Sequence, residues 1–109
     1  MVTKLDAGAG YVVLINTFEV DPLRADELLS ILSRATSEVM RFEPGFVSAN
    51  LHISPDRRHI ANYAQWRSQE DLDAMMGNPA ARAHMREAAS VAASFTPLYY
   101  ELRESHSAG

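Results

Sequence analysis

Cysteine is absent from the 109 residues, which excludes disulfides, cysteine-zinc sites and thiol catalysis. Histidine is scarce, at positions 52, 59, 84 and 106, and no two of these form an i, i+4 metal-binding pair. Charge of one sign is not concentrated anywhere: Lys/Arg and Asp/Glu are dispersed, the formal net charge is -4, and no basic stripe marks a nucleic-acid partner. No apolar run reaches membrane-spanning length. The N-terminus shows no charged segment followed by a long apolar one, so a signal peptide is not expected and the default expectation is a cytoplasmic protein. Tryptophan occurs once, as Trp66.

What is present is enough for one domain of modest size, with 47% of residues hydrophobic. Residues 1–9 read as a flexible leader, 10–104 as the domain and 105–109 as a flexible tail. Residues 11–20 are rich in Val, Ile, Thr and aromatics and predict a first strand. Asp21-Pro22 supplies a cap and a first helical residue. Leu28, Leu32, Ala35 and Val39 then recur at helical spacing up to Glu43-Pro44-Gly45. Residues 46–53 and 59–66 predict a strand hairpin around the turn Ser54-Pro55-Asp56-Arg57-Arg58. Ser68 caps a second helix, which Gly77-Asn78-Pro79 breaks and residues 80–93 resume. Thr96-Pro97 leads to a last strand over 98–103.

The order β-α-β-β-α-β predicts an α+β fold of the ferredoxin-like, split βαβ kind, a four-stranded antiparallel sheet with helices on one face. The odd face of the first strand, Val13 and Ile15, is apolar. It is expected to meet a second copy of the chain, giving a homodimer and a dimeric α+β barrel.

The run Asn62-Tyr63-Ala64-Gln65-Trp66 carries the functional signal. Strand alternation puts Asn62 and Trp66 on one face. Asn16 lies among the aliphatics of the first strand, where a carboxamide is costly unless hydrogen-bonded. Two amides and one indole converging on one pocket would make an apolar cavity with neutral donors and no metal ligands.

These residues, taken with Leu14-Ile15-Asn16-Thr17-Phe18 and Glu43-Pro44-Gly45-Phe46-Val47-Ser48-Ala49, resemble the antibiotic biosynthesis monooxygenase family. The likeness is nearest to the small anthrone oxygenases of aromatic polyketide pathways. It implies oxidation of an anthrone-type polyketide to a quinone with molecular oxygen as co-substrate and no flavin, haem or metal. It implies catalytic roles for Asn16, Asn62 and Trp66, and substrate contacts from His52 and Arg86, with water, His52 or another group as the acceptor of the substrate's proton. Phe46, Leu72, Met75 and Met76 are the expected apolar walls. A tyrosine that the actinorhodin-pathway enzyme carries past the tryptophan falls at Leu72 here, so its proton-relay role has no counterpart at that position.

Three rivals share the fold, one of them a polyketide cyclase that would turn over without consuming oxygen. Haem degradation would use Asn16 and His84, but that branch's helix tryptophan is missing, since Ala74-Met75-Met76 occupies the region. A non-catalytic protein that binds a small aromatic, or serves as a pathway accessory, would use the same pocket without turnover.

Overall fold

The β-branched run after Gly10 extends as β1 (Val12–Glu19), joined by β2 (Phe46–Ile53), β3 (His59–Trp66) and β4 (Ser94–Glu101). The computed structural model describes residues 2–109. Every pairing is antiparallel, and the strand order is β2-β3-β1-β4. Helix α1 (Ala25–Glu38) follows β1, while α2 (Gln69–Met76) and α3 (Pro79–Val91) join β3 to β4. The result is the ferredoxin-like α+β arrangement, an open sheet with its helices on one face.

Local chemistry sets the boundaries. The Asp21 carboxylate accepts from the Leu23 N–H at 2.9 Å and Pro22 opens the turn that leads into α1. The helix stops at Glu38 rather than running to 43, because the chain tightens into a 3-10 turn over Met40–Phe42. Gly45 then reverses direction at φ 83°, and a Cβ there would collide with the Asp71 carboxylate, so only glycine fits. Asp71 is fixed in its turn by the Ser68 cap, whose Oγ accepts from the Asp71 N–H at 3.1 Å. Asn78 caps α3 by accepting from the Ala80 N–H at 2.8 Å.

Two strand details depart from the plain sequence pattern. First, β4 begins at Ser94, before Pro97 instead of after it. A ladder tolerates proline on an edge strand, and β4 pairs only with β1. Second, β2 carries a bulge. Phe46 pairs with Trp66 and Ser48 with Gln65, so Val47 is the extra residue. Past it, Ala49 and Leu51 share the face of Phe46, while Ser48, Asn50 and His52 turn to the other side.

The helix-facing side of the sheet packs in two separate clusters. One joins Phe18 and Ile60 to Leu28, Ile31, Ala88 and Val91. The other joins Ala64 and Trp66 to Leu72, Met75 and Ala81. The far side carries Val13, buried, and the half-exposed Leu98 and Tyr100. Residues 3 and 4 lie against this side: Thr3 Oγ1 donates to Asn50 Oδ1 at 2.8 Å, and Gln65 Nε2 donates to the Lys4 carbonyl at 2.8 Å.

Candidate active site

Asn16 and Asn62 are direct cross-strand partners at the middle of the β1–β3 ladder. Their Cβ atoms are therefore neighbours on the helix-facing side. Pro97 stands opposite Asn16 on β4, and its ring cannot satisfy a carboxamide. Further along the same face, Trp66 packs edge-on against Phe46 with ring centroids 5.5 Å apart and planes at 84°.

Between the two core clusters lies a cavity of about 170 Å³ whose floor is this part of the sheet. Leu14, Asn16 and Phe18 come from β1, and Asn62, Ala64 and Trp66 from β3. Leu32, Ala35 and Thr36 of α1, with Met75 and Met76 of α2, form part of the roof. His84, Met85, Ala88 and Ala89 of α3 complete it. Phe95, Pro97 and Tyr99 of the edge strand form the rim, where Phe95 and Tyr99 stay about half exposed.

Three buried polar atoms lack a hydrogen-bond partner among the described residues: Asn16 Oδ1, Asn62 Oδ1 and His84 Nδ1. All three residues line this cavity. Each unpaired atom costs about 1–3 kcal/mol of desolvation, so three on residues around one hollow call for an explanation. A half-turn of either carboxamide exchanges its oxygen and nitrogen, so each asparagine can present an acceptor or a donor. No lining residue is a lysine, arginine or carboxylate. Charge forming on a guest would meet neutral dipoles in an apolar setting.

The structure brings together Asn16, Asn62, Trp66, Phe46 and Met76 around the cavity, with Met75 beside them. It does not bring His52, Leu72 or Arg86 there. His52 is turned to the opposite sheet face by the Val47 bulge and is exposed. Leu72 is fully buried in the cluster that holds Trp66 and Met75, so it supports the indole from behind. Arg86 lies two residues past His84 on α3, about 200° around a helix, and is exposed. His84 is the lining residue that sequence reasoning left to a rival chemistry. The available signal was helical spacing: it shares the buried stripe of Ala81, Met85 and Ala88.

Among the described residues no helix is long and apolar enough to cross a membrane, and no cluster of three His, Cys, Asp or Glu is placed to hold a metal.

A split βαβ sheet with its helices on one face, and an apolar hollow over two unpaired amides, define a ferredoxin-like α+β domain. The chain belongs to the antibiotic biosynthesis monooxygenase family, whose pattern matches residues 11–87. Tetracenomycin-F1 monooxygenase of Streptomyces glaucescens is 39% identical over 95 residues, which cover 87% of this chain and 84% of the relative. The monooxygenase from the gene ActVA-Orf6 of Streptomyces coelicolor, solved in complex with nanaomycin D, superposes with a TM-score of 0.79 at 27% identity. That match covers 96% of this chain and all of the other. SnoaB, a cofactor-independent oxygenase from Streptomyces nogalater, shares the fold with a TM-score of 0.77 at 20% identity, over 88% of this chain and 96% of its own. The chain is thus a monooxygenase-family protein related to enzymes of aromatic polyketide biosynthesis.

Proposed function

We propose that this protein is a cofactor-independent monooxygenase that oxidises an anthrone-type aromatic polyketide to a quinone with molecular oxygen. The observation that carries this reading is the pair of unpartnered carboxamides, Asn16 and Asn62, beside Trp66 in one apolar cavity. The tetracenomycin F1 monooxygenase relative and the bound nanaomycin D of the ActVA-Orf6 enzyme support an aromatic polyketide guest. The description of SnoaB as cofactor-independent supports chemistry carried by the substrate itself.

Triplet oxygen reacts slowly with closed-shell molecules, and cofactors are the usual remedy. An anthrone offers another. Loss of one carbon-bound proton leaves an electron-rich, phenolate-like anion. The anion gives one electron to oxygen, the radical pair combines to a hydroperoxide, and loss of water leaves the quinone carbonyl. One oxygen molecule is consumed, with one of its atoms in the product and the other in water.

The protein's work is to bind the flat ring system, favour its anion and exclude bulk water. In this reading the amide groups of Asn16 and Asn62 and the Trp66 indole N–H hydrogen-bond substrate oxygens as charge builds. The volume of about 170 Å³ is below the usual range of about 300–1,000 Å³ for drug-sized ligands. Seating a tricycle therefore requires the flexible Met40, Met76 and Met85 side chains to move. A second copy of the chain on the far side of the sheet, over Val13, Ile15 and Leu98, is part of the same reading.

An oxygen electrode tests it. Metal-free protein given a tricyclic anthrone should consume one oxygen per quinone formed. Asn62→Ala and Trp66→Phe should each slow turnover, and wild-type rates in both would refute the reading. His84 in the cavity favours the haem rival on one point, so haemin is the control titration. A tight complex with a histidine-ligated spectrum would support that rival instead.

A further inference from the structure

The oxidation proposed above begins with a proton that must go somewhere, and its inference here rests on that reading. The cavity lining contains two titratable side chains, His84 and Tyr99. Of the two, an imidazole with a free ring nitrogen is the better acceptor of a proton. His84 lines the cavity, and its side chain is 17% exposed. Its Nδ1 is buried and unpartnered. Its Nε2 lies 3.9 Å from Glu38 Oε2 at the end of α1, and the Glu38 side chain is 59% exposed. A carboxylate beside Nε2 favours the tautomer that keeps the proton there, which leaves a lone pair on Nδ1. The inward nitrogen is then an acceptor and the outward one a donor.

We propose that His84 is the general base of this enzyme and that Glu38 is its positioning residue and proton outlet. The carbon-bound proton of the substrate passes to His84 Nδ1, and its electron pair stays on the ring as the conjugated anion. The imidazolium so formed sits beside the Glu38 carboxylate, and its Nε2 proton leaves through that carboxylate to water. No electron is transferred in this step. Oxygen enters only afterwards. The Glu38 carboxylate of α1 approaches the ring, and the neutral Asn16 and Asn62 amides of the sheet and the Tyr99 phenol of β4 line the same cavity. The nearby charges of Arg34 and Glu87 neutralise each other in an ion pair of 3.1 Å between α1 and α3. Among the described residues, Glu38 is the carboxylate that lies within 4.0 Å of the ring.

Anaerobic stopped-flow isolates the step, because the anthrone anion absorbs at longer wavelength than the neutral compound and can be followed without oxygen. Wild-type protein should ionise bound anthrone rapidly, and a deuterated methylene should slow it. His84→Gln should lose about 10²- to 10⁴-fold in ionisation rate while binding of a quinone product, read by Trp66 fluorescence, stays near wild type. Added imidazole should restore part of the rate in His84→Gly. Glu38→Gln, a surface change, should slow ionisation by several-fold at unchanged affinity and shift the pH profile of the rate. Wild-type ionisation in His84→Gln overturns the proposal. If that variant does not fold, an unaltered rate and pH profile in Glu38→Gln overturns it. The two readings separate cleanly: wild-type protein that ionises anthrone but makes no quinone in air refutes the oxygenase reading and leaves His84 as base. Quinone formation that persists without His84 does the reverse. Protein that does not bind anthrone refutes both.

Discussion

β3 buries two kinds of carboxamide on its two faces. Gln65, only 2% exposed, is fully engaged: its Nε2 donates to the Lys4 carbonyl at 2.8 Å and its Oε1 accepts from Ser48 Oγ at 3.0 Å. Asn62, three residues earlier, and Asn16 across the ladder hold buried oxygens with no partner. The chemical group is the same and the strand is the same. The difference lies in what completes each hydrogen bond. Gln65 ties two segments of the chain together. The oxygens of the asparagines, proposed above to meet the substrate, have no such tie within the described residues. An amide's role is thus read from its missing partners and not from its burial.

The sharpest way to break this comparison is to remove the polar group on each face. Asn62→Leu and Asn16→Leu should each lower kcat/KM for anthrone oxidation by about 10²–10³-fold, the loss expected when a preset donor to a developing oxyanion is removed. Their thermal stability should stay level or rise, because each deletes a buried unpaired atom. Gln65→Leu should behave oppositely. It strands the Lys4 carbonyl and the Ser48 hydroxyl, at about 1–3 kcal/mol, and should leave kcat/KM unchanged. Denaturant unfolding and steady-state kinetics on the three variants decide the matter, and a Gln65→Leu protein that is stable but inactive would erase the distinction.

A milder test deletes residues 1–6. Gln65 Nε2 then loses its partner, but water replaces it, since the covering segment goes with the carbonyl. The bond from Thr3 Oγ1 to Asn50 Oδ1 goes as well, so the cost should be about 0.5–1.5 kcal/mol for each of the two net hydrogen bonds. A larger loss, measured by urea titration, would show that the segment contributes more than these two bonds.

How far the sequence carried the site depended on where alternation held. Asn16, Asn62 and Trp66 lie on strands paired without a slip, so counting by twos placed them together. Counting by twos from Phe46 also puts His52 on the cavity side. The Val47 bulge reverses that, and nothing in Phe46-Val47-Ser48 announces one. Pro97 misled in the same way: it reads as a strand start, but edge position lets β4 run through it. On the helices the lesson is angular. Arg86 was placed by resemblance of position, whereas the 3.6-residue period sends it outward and brings His84 in. Leu72 has the right period but faces the Trp66 cluster, a choice that tertiary packing makes and local pattern does not.

The satisfied side of the comparison extends to a charged group at the β2–β3 turn. Asp56 Oδ1 accepts from Ser54 Oγ at 2.6 Å and from the Arg58 N–H at 3.0 Å. The Ser54 hydrogen bond first, and the Arg58 backbone bond second, hold its carboxyl below the ordinary aspartate range. A carboxylate whose pKa is depressed on folding stabilises the protein above its unfolded value of about 3.9. That contribution is lost as the pH falls through the lower, folded value. Asp56 is wholly exposed and remote from the cavity, so this is the smallest effect of the series. Melting temperatures of wild type and Asp56→Ala should differ by a small constant amount at neutral pH and converge in strong acid. The pH profile of turnover should be identical in the two proteins. A shift in that profile would connect the hairpin turn to the cavity, and the separation between structural and functional polar groups would then fail at its most exposed member.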